Sequence, residues 1–126
     1  MSARTKEDEG ELGATPPEAV NQVRLAGRIS SGPQERVLPR GAVLWTFRLV
    51  VPRTPTRNGA RTAVDALECA VWGGRVRRSV AGWREGDVVE VTGSVHRRFF
   101  RVAAGAASRY EIDVDAGRLI RRAATG

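Results

Sequence analysis

The feature that most constrains this chain is the alternation of residues over short segments, each closed by a turn signal. The clearest segment covers residues 43–51, where Val43, Trp45, Phe47, Leu49 and Val51 occupy every second position. Successive side chains of a β-strand point to opposite faces, so this spacing predicts a strand with one buried face. We therefore expect a fold built mainly from β-structure.

The same signature predicts four further strands, at residues 21–29, 64–72, 88–95 and 109–114. Within the fourth, Gly93 predicts a bulge or a point of close backbone approach. The basic aromatic residues 96–101 continue this strand toward a hairpin tip near Gly105, and Leu119-Ile120 is a candidate extension of the last strand. Two long neighbouring strands are thus expected at the C-terminal end.

Turn and helix signals separate these strands. Residues 31–33 and 39–41 read as turns on either side of a short segment at 36–38, and Pro52 opens a loop that reaches about Thr62. After Gly73-Gly74, the spacing of Val76, Val80 and Trp83 predicts a helix of two to three turns with one apolar stripe. Five strands with a helix between the third and fourth predict an all-β, five-stranded oligonucleotide-binding (OB-fold) barrel. A five-stranded sandwich or a cold-shock-like barrel also fits.

The two ends of the chain differ from this pattern. Residues 1–20 are charged, contain Pro and Gly, and show no periodicity, which predicts a disordered tail. The domain is expected at residues 21–122, followed by a short tail at 123–126. There is no apolar stretch typical of a secretory signal near Met1, so a cytoplasmic, nucleoid-associated protein is expected.

Residue counts argue against most catalytic chemistry. The chain has one cysteine, Cys69, and one histidine, His96, which excludes an internal disulfide and makes a zinc site or a catalytic triad improbable. Asp113 and Asp115 lie close together but have no third ligand in view. We expect no enzyme activity, no metal and no cofactor, and Cys69 is interpreted as a small buried residue.

Charge points to a polyanionic partner. The net charge is +7, and because residues 1–20 hold two basic against five acidic residues, the rest of the chain carries +10. Nearly all the basic residues are arginine, so genome composition contributes to the positive charge. It does not explain why the acidic residues are fewer than the basic ones. A basic body of this kind is typical of nucleic-acid binding.

Four stretches resemble the bacterial single-stranded DNA-binding protein family, in the right order and spacing: Asn21–Ile29, Pro39–Val43 followed by Phe47-Arg48-Leu49, Cys69–Gly73, and Gly86–Val95. The resemblance covers about Asn21 to Arg122. It implies an OB fold, sequence-tolerant binding of single-stranded DNA as a homo-oligomer (tetramer or dimer), and roles in replication, recombination and repair. It implies no membrane partner and no small-molecule substrate.

The resemblance also implies where DNA would bind. Trp72 and Phe100 fall where the family places stacking aromatics, and Arg98 and His96 fall on matching basic positions. The other candidate DNA-binding residues are Arg97 beside them, Arg48 on the second strand, and Arg53, Arg57 and Arg61 in the loop after it. Trp45 and Trp83 each follow an apolar stripe and are interpreted as core.

Three departures from the family pattern favour a specialised paralogue. Ala66 stands where the family commonly has a stacking tryptophan, Glu68 stands at a usually basic position and would repel phosphate, and the acidic C-terminal tail is missing. An alternative function is therefore a protein-interaction module, as in primosomal replication proteins of this fold. An RNA-binding barrel is a third option, without a cold-shock-type motif to support it. Arg24 and Arg28 put charge on an outer face where family members often pair subunits through apolar residues.

Overall fold

The computed structural model of the protein describes residues 18–54 and 63–124. This part of the chain contains five strands and one helix: β1 (Val23–Val37), β2 (Val43–Pro52), β3 (Val64–Val71), α1 (Gly74–Ala81), β4 (Val88–Val102) and β5 (Gly105–Arg121). The strands close into a barrel in the order β1-β2-β3-β5-β4. The all-β, five-stranded OB-fold barrel with its helix between the third and fourth strands is confirmed.

The alternating residues fill the barrel. Ile29, Phe47, Leu49, Val89 and Val91 are among its buried core residues. Since every second residue of each strand faces inward, these side chains meet at the barrel axis and leave the polar positions outside. Cys69 is buried in the same core, as predicted.

β1 differs from its prediction. The residues from Ser31 to Pro33 do not turn the chain; β1 continues to Val37, and its register against β2 shifts between Ile29 and Ser31 and again between Ser31 and Gln34. Extra residues in one strand are absorbed as bulges, which bend it. The bend lets the first half of β1 pair with β4 and the second half with β2. The predicted turn at 39–41 is confirmed, with Gly41 at a φ of 85°.

The helix closes one part of the barrel. Val80 is fully buried and Val76 packs against the core, as the apolar stripe predicts. Trp83 lies two residues beyond the end of α1 rather than within it, yet it is buried, and its ring meets that of Phe47 edge-on with centroids 5.7 Å apart. Trp45 is only half-buried at the edge of the same core.

β4 and β5 form one long hairpin that pairs from Val88↔Arg121 to Val102↔Gly105. β5 is therefore much longer than the predicted segment at 109–114. The predicted extension at Leu119-Ile120 is confirmed as part of β5. Residues 105–108 were missed because the distal hairpin projects beyond the core, so little of either face is buried there. Gly93 is a close-approach point, as predicted: a Cβ there would lie 1.9 Å from the carbonyl oxygen of Asp113.

Both ends of the described barrel are tied to it. The Asn21 side chain donates to the Val95 carbonyl at 2.8 Å and accepts from the Val95 amide at 2.9 Å. The amide of Ala123 donates to Asp87 at 2.8 Å. Within residues 18–54 and 63–124, no helix is long and apolar enough to cross a membrane.

Candidate nucleic-acid interface

An open groove of about 480 Å³ runs between the β1–β2 end of the barrel and the β4–β5 hairpin. Its lining combines aromatic, apolar and basic residues: Arg36, Leu38, Leu44, Thr46, Trp72, Arg98, Phe99, Phe100, Arg109 and Glu111. Trp72 enters it just after the end of β3, Arg36 enters it from β1, and Arg98, Phe100 and Arg109 enter it from the hairpin. The groove therefore brings together three of the residues predicted to bind DNA: Trp72, Arg98 and Phe100.

The two aromatic rings share one geometry. Trp72 and Phe100 are each 40% exposed. The guanidinium carbon of Arg98 lies 5.4 Å from the ring centroid of Trp72, and that of Arg109 lies 5.5 Å from the ring centroid of Phe100. Each ring thus has a cation against it, an arrangement that stabilises the ring's position, and each still presents surface to the groove.

Glu111 holds both of these arginines. Its Oε1 accepts a hydrogen bond from Arg98 Nε at 2.9 Å, and its Oε2 accepts from Arg109 Nη2 at 2.9 Å. The carboxylate is almost completely buried, at 7% exposure, whereas the guanidinium groups extend toward solvent. One buried carboxylate therefore fixes the two cations that support the two rings.

Arg98 has a second acidic partner, since its Nη2 donates to Asp113 at 3.0 Å. The hydrogen bond to Glu111, opposed in part by burial and reinforced by the Asp113 charge, raises the pKa of Arg98 above its ordinary value. His96 stands on the same side of the hairpin, with Nδ1 3.3 Å from Asp113 and Nε2 3.0 Å from the Ser94 hydroxyl. These residues form one connected network under the groove.

Arg97 lies on the reverse face of the hairpin. Its guanidinium carbon is 5.3 Å from the centroid of Phe99 and 5.5 Å from that of Tyr110, and its Nε donates to Ser108 at 3.0 Å. Phe99 and Tyr110 are 72% and 65% exposed. Arg97 therefore contacts Phe99 and Tyr110 rather than Trp72 and Phe100, the two rings that Arg98 and Arg109 support.

The remaining predicted arginines lie along β2 and the loop that follows it. Arg48 Nε is 2.7 Å from Glu68, and Arg53 Nη2 is 2.9 Å from Asp65. The hydrogen bond from Arg53 holds the pKa of Asp65 below its ordinary value. Arg57 and Arg61 lie outside the described residues. Arg48 therefore offsets the charge of Glu68, which the sequence analysis expected to repel phosphate.

Burial and spacing give Cys69 and the acidic side chains structural roles among the described residues. Burial raises the pKa of Cys69 to about 12, with the nearby charges of Glu68 and Glu111 adding to the effect, so the thiol stays protonated at neutral pH. Among residues 18–54 and 63–124 no group of three His, Cys, Asp or Glu side chains is placed to hold a metal ion. Asp113 is occupied by Arg98 and His96 instead.

Sequence reasoning missed Glu111, Arg109 and Arg36. The hairpin register would have found the first two, because the tip places Glu111 opposite His96 and Arg109 opposite Arg98. The sequence predicts a hairpin tip centred on Gly105, whereas Gly105 is the first residue of β5 and pairs with Val102. With the tip at the wrong residue, the residues that face each other across the hairpin could not be identified.

Known proteins are similar to this chain over the barrel that carries the groove. The model of the single-strand binding protein family matches residues 20–120. "Single-stranded DNA-binding protein 2" of Listeria innocua is 30% identical over 86 residues, which is 68% of this chain and 54% of that protein. "Single-stranded DNA-binding protein A" of Bacillus subtilis is 29% identical over 86 residues, covering 68% of this chain and 50% of that protein. The chain thus spans about half the length of the curated relatives it matches.

A solved structure shares the fold. A chain of the "Plasmodium falciparum SSB complex with ssDNA" superposes with a TM-score of 0.69 and 23% identity, covering 85% of this chain and 98% of that one. At this identity the likeness supports the barrel architecture only. The family match, which covers most of the chain, carries the assignment: this chain belongs to the single-strand binding protein family.

Proposed function

We propose that this chain binds single-stranded DNA with little sequence preference and without catalysis. The observation that carries the proposal is the pair of rings in the groove, Trp72 and Phe100, each supported by an arginine that Glu111 holds. Every base has a π-face, so aromatic platforms bind bases without reading their sequence. The relatives named for single-stranded DNA binding support the same function.

In this proposal the bases occupy the groove and the backbone follows its basic rim. Trp72 and Phe100 serve as stacking platforms, while Arg98 and His96 line the same face. Arg36, exposed at the groove, is available for a phosphate. Arg48 on β2 and Arg53 directly after it extend the basic track, and Arg97 remains a candidate on the reverse face of the hairpin. Arg57 and Arg61, which lie outside the described residues, remain candidates from the sequence.

The family resemblance supports a cellular role in DNA replication, recombination or repair, in the cytoplasm and at the nucleoid, as a homo-oligomer. The alternative of a protein-interaction module draws no support from these relatives. Of the sequence departures that favoured it, the charge of Glu68 is offset by Arg48, whereas Ala66 still stands in place of a stacking residue. Single-stranded DNA is therefore the partner that the site supports best.

The direct test is fluorescence anisotropy of the chain with a labelled oligo-dT of about 16 nucleotides, at the upper end of the site size of one OB fold. We expect saturable binding that weakens with salt and that duplex DNA of equal length fails to displace. Binding that duplex displaces as effectively as single strands would contradict the proposal, as would no binding at low salt.

Trp72→Ala tests the platform itself. Loss of one stacked base should weaken binding by about 1–3 kcal/mol, because stacking contributes that much per base. Tyr110→Ala is the matched control, since Tyr110 is an exposed aromatic on the reverse face of the hairpin. Both variants should keep the melting temperature of the parent chain. If Trp72→Ala and Tyr110→Ala weaken binding equally, Trp72 is not a stacking platform of the binding site.

A further inference from the structure

The arginines of α1 form a second basic surface beside the groove. Arg75 and Arg78 are exposed and Arg77 is half-buried, and no acidic residue occurs from Gly73 to Arg84. Among the ion pairs of the described residues, none involves these three arginines. This differs from the groove, where Arg98 and Arg109 are already paired with Glu111.

These arginines surround an open depression of about 560 Å³. It is lined by Trp45, Gly74, Arg75, Arg77, Arg78 and Ala81. Three cations and one half-buried aromatic side chain therefore converge on a single hollow. Like charges at i and i+3 on a helix repel each other, so Arg75 and Arg78 destabilise α1 unless a negative charge lies between them.

The depression and the groove are lined by residues that neighbour one another along the chain. Leu44 and Thr46 line the groove while Trp45, between them on β2, lines the depression. Trp72 lines the groove, and Gly74, two residues further along the chain, lines the depression. A strand that leaves the groove past Trp72 would meet α1 next.

We infer that the α1 surface, defined by Trp45, Arg75, Arg77 and Arg78, binds the sugar–phosphate backbone of the DNA strand whose bases occupy the groove. The inference rests on the proposed function and extends its footprint. The two surfaces then have different roles: the groove, where Arg98 and Arg109 are paired with Glu111, holds bases, and the α1 surface holds phosphates. The α1 arginines, which lie outside every ion pair of the described residues, complement a polyanion, and the closeness of Trp72 and Gly74 along the chain favours nucleic acid over an acidic protein.

The test uses a labelled abasic strand of about 16 sugar–phosphate units, the upper site size of an OB fold, which has phosphates but nothing to stack. Arg75→Gln/Arg78→Gln removes two exposed cations from α1 and keeps good helix formers there. Arg28→Gln/Arg121→Gln removes two exposed arginines from the outer sheet face and is the matched control.

We expect the full chain to bind the abasic strand weakly and with a steep salt dependence. The α1 variant should lower the magnitude of the log–log salt slope by about 1.4, because single strands contribute about 0.7 per phosphate neutralised, and should weaken binding roughly 25-fold at about 0.1 M salt. The control variant should change neither. The melting temperature of the α1 variant should stay the same or rise, because a repulsion is removed.

Failure of this inference differs from failure of the proposed function. Trp72→Ala should leave abasic binding unchanged, so a chain that binds the abasic strand but gains nothing from oligo-dT has an α1 surface and no stacking groove. No abasic binding by the parent chain, or equal losses in the α1 and control variants, would overturn the inference. Displacement by polyglutamate as effective as by the abasic strand, at equal charge, would assign the surface to an acidic protein segment and overturn it too.

Discussion

At the scale of single residues, the groove depends on Glu111 more than on either ring. Trp72 and Phe100 are on different strands, and their positions relative to each other are set by Arg98 and Arg109, which Glu111 holds through its two oxygens. Charge-assisted hydrogen bonds of this kind are about twice as strong as neutral ones. Since the carboxylate is buried, it acts through the arginines as a positioning residue.

Glu111→Gln should have two opposing effects on DNA binding. It frees Arg109 for a phosphate, which should steepen the salt slope by about 0.7. It also loosens both rings, which should weaken binding at high salt about fivefold, the lower end of one lost stacked base. The binding curves of parent and variant, plotted as log affinity against log salt, should therefore cross.

Glu68→Gln is the control for that experiment. Glu68 pairs with Arg48 at 2.7 Å, and neither residue is in a described cation–π contact with a groove ring. This variant should bind more tightly at low salt and approach the parent at high salt, with no crossing. If the plots of log affinity against log salt for Glu111→Gln and the parent chain are parallel, Glu111 has a purely structural role. If Glu111→Gln binds more tightly than the parent at every salt concentration, the role of Glu111 is purely electrostatic.

The sequence alone was enough to predict the two groove rings, Trp72 and Phe100, but not the residues Glu111 and Arg109 that support them. Trp72 and Phe100 were predicted from the family resemblance, which depends only on the order and spacing of motifs along the chain. Glu111 and Arg109 could not be placed in the same way, because their neighbours lie across the hairpin, and cross-strand register depends on where the turn falls. An error of a residue at the tip changes every such pair.

At the scale of elements, Asp87 joins three segments of the chain. Its carboxylate accepts hydrogen bonds from the amide of Arg84 at 2.9 Å, the amide of Ala123 at 2.8 Å and the guanidinium of Arg122 at 2.9 Å. Arg122 also donates to the Gly82 carbonyl. The segment after β5 is thereby fastened to the connection between α1 and β4, where Gly86 adopts a φ of 92°.

Asp87 should make stability depend on pH. Burial by itself raises the pKa of Asp87, but the hydrogen bonds from Ala123 and Arg84 and the charge of Arg122 together outweigh it and leave the pKa lowered. A carboxyl group whose pKa is lower in the folded state stabilises the fold above its unfolded pKa, about 3.9, and loses that contribution as pH falls through the folded pKa.

Asp87→Asn should therefore lower the free energy of unfolding at pH 7 by about 1–3 kcal/mol, the usual effect of leaving buried hydrogen-bonding groups unsatisfied. The difference between parent and variant should shrink below about pH 4, as followed by urea unfolding. Asp65 and Glu90, whose pKa values are also lowered, are retained in both chains and do not affect that difference. Asp115→Asn, at an exposed position, should have little effect. A difference that persists at pH 2 would contradict the ionic explanation.

The elements themselves were predicted to the extent that they bury a face. β2, β3 and the first half of β4 contact the core, and their alternation located them within a residue or two. The bulged half of β1 and the first residues of β5 bury little, so nothing in their pattern distinguished strand from turn, although the continuation of β4 through residues 96–101 was predicted correctly. The pairing of β1 with two partners is a long-range property that local periodicity does not record.

At the scale of the whole molecule, net charge and DNA affinity are only loosely connected. The chain carries +7, but two of the three arginines that line the groove are paired with carboxylates, Arg98 with Glu111 and Asp113 and Arg109 with Glu111. Arg48 on β2 is likewise paired with Glu68. Of the described arginines that line the groove or the α1 depression, those outside any described ion pair are Arg36, Arg75, Arg77 and Arg78. An arginine that is paired with a carboxylate must leave that carboxylate before it binds a phosphate. An arginine without such a partner can bind the phosphate directly and release the counterions condensed on the DNA.

This distribution predicts a shallower salt dependence than the net charge implies. In an Arg57→Gln/Arg61→Gln background, which removes the loop arginines, the four unpaired arginines should give a log–log slope of about −3 with oligo-dT, at about 0.7 per phosphate. If Arg48, Arg98 and Arg109 instead leave their carboxylates for phosphates, the slope should approach about −5. Anisotropy titrations between about 50 and 200 mM salt separate these values. The steeper slope would mean that the ion pairs of Arg98 and Arg109 with Glu111 break when DNA binds. The positions of Trp72 and Phe100 would then be fixed by contact with the DNA and not by the protein before binding.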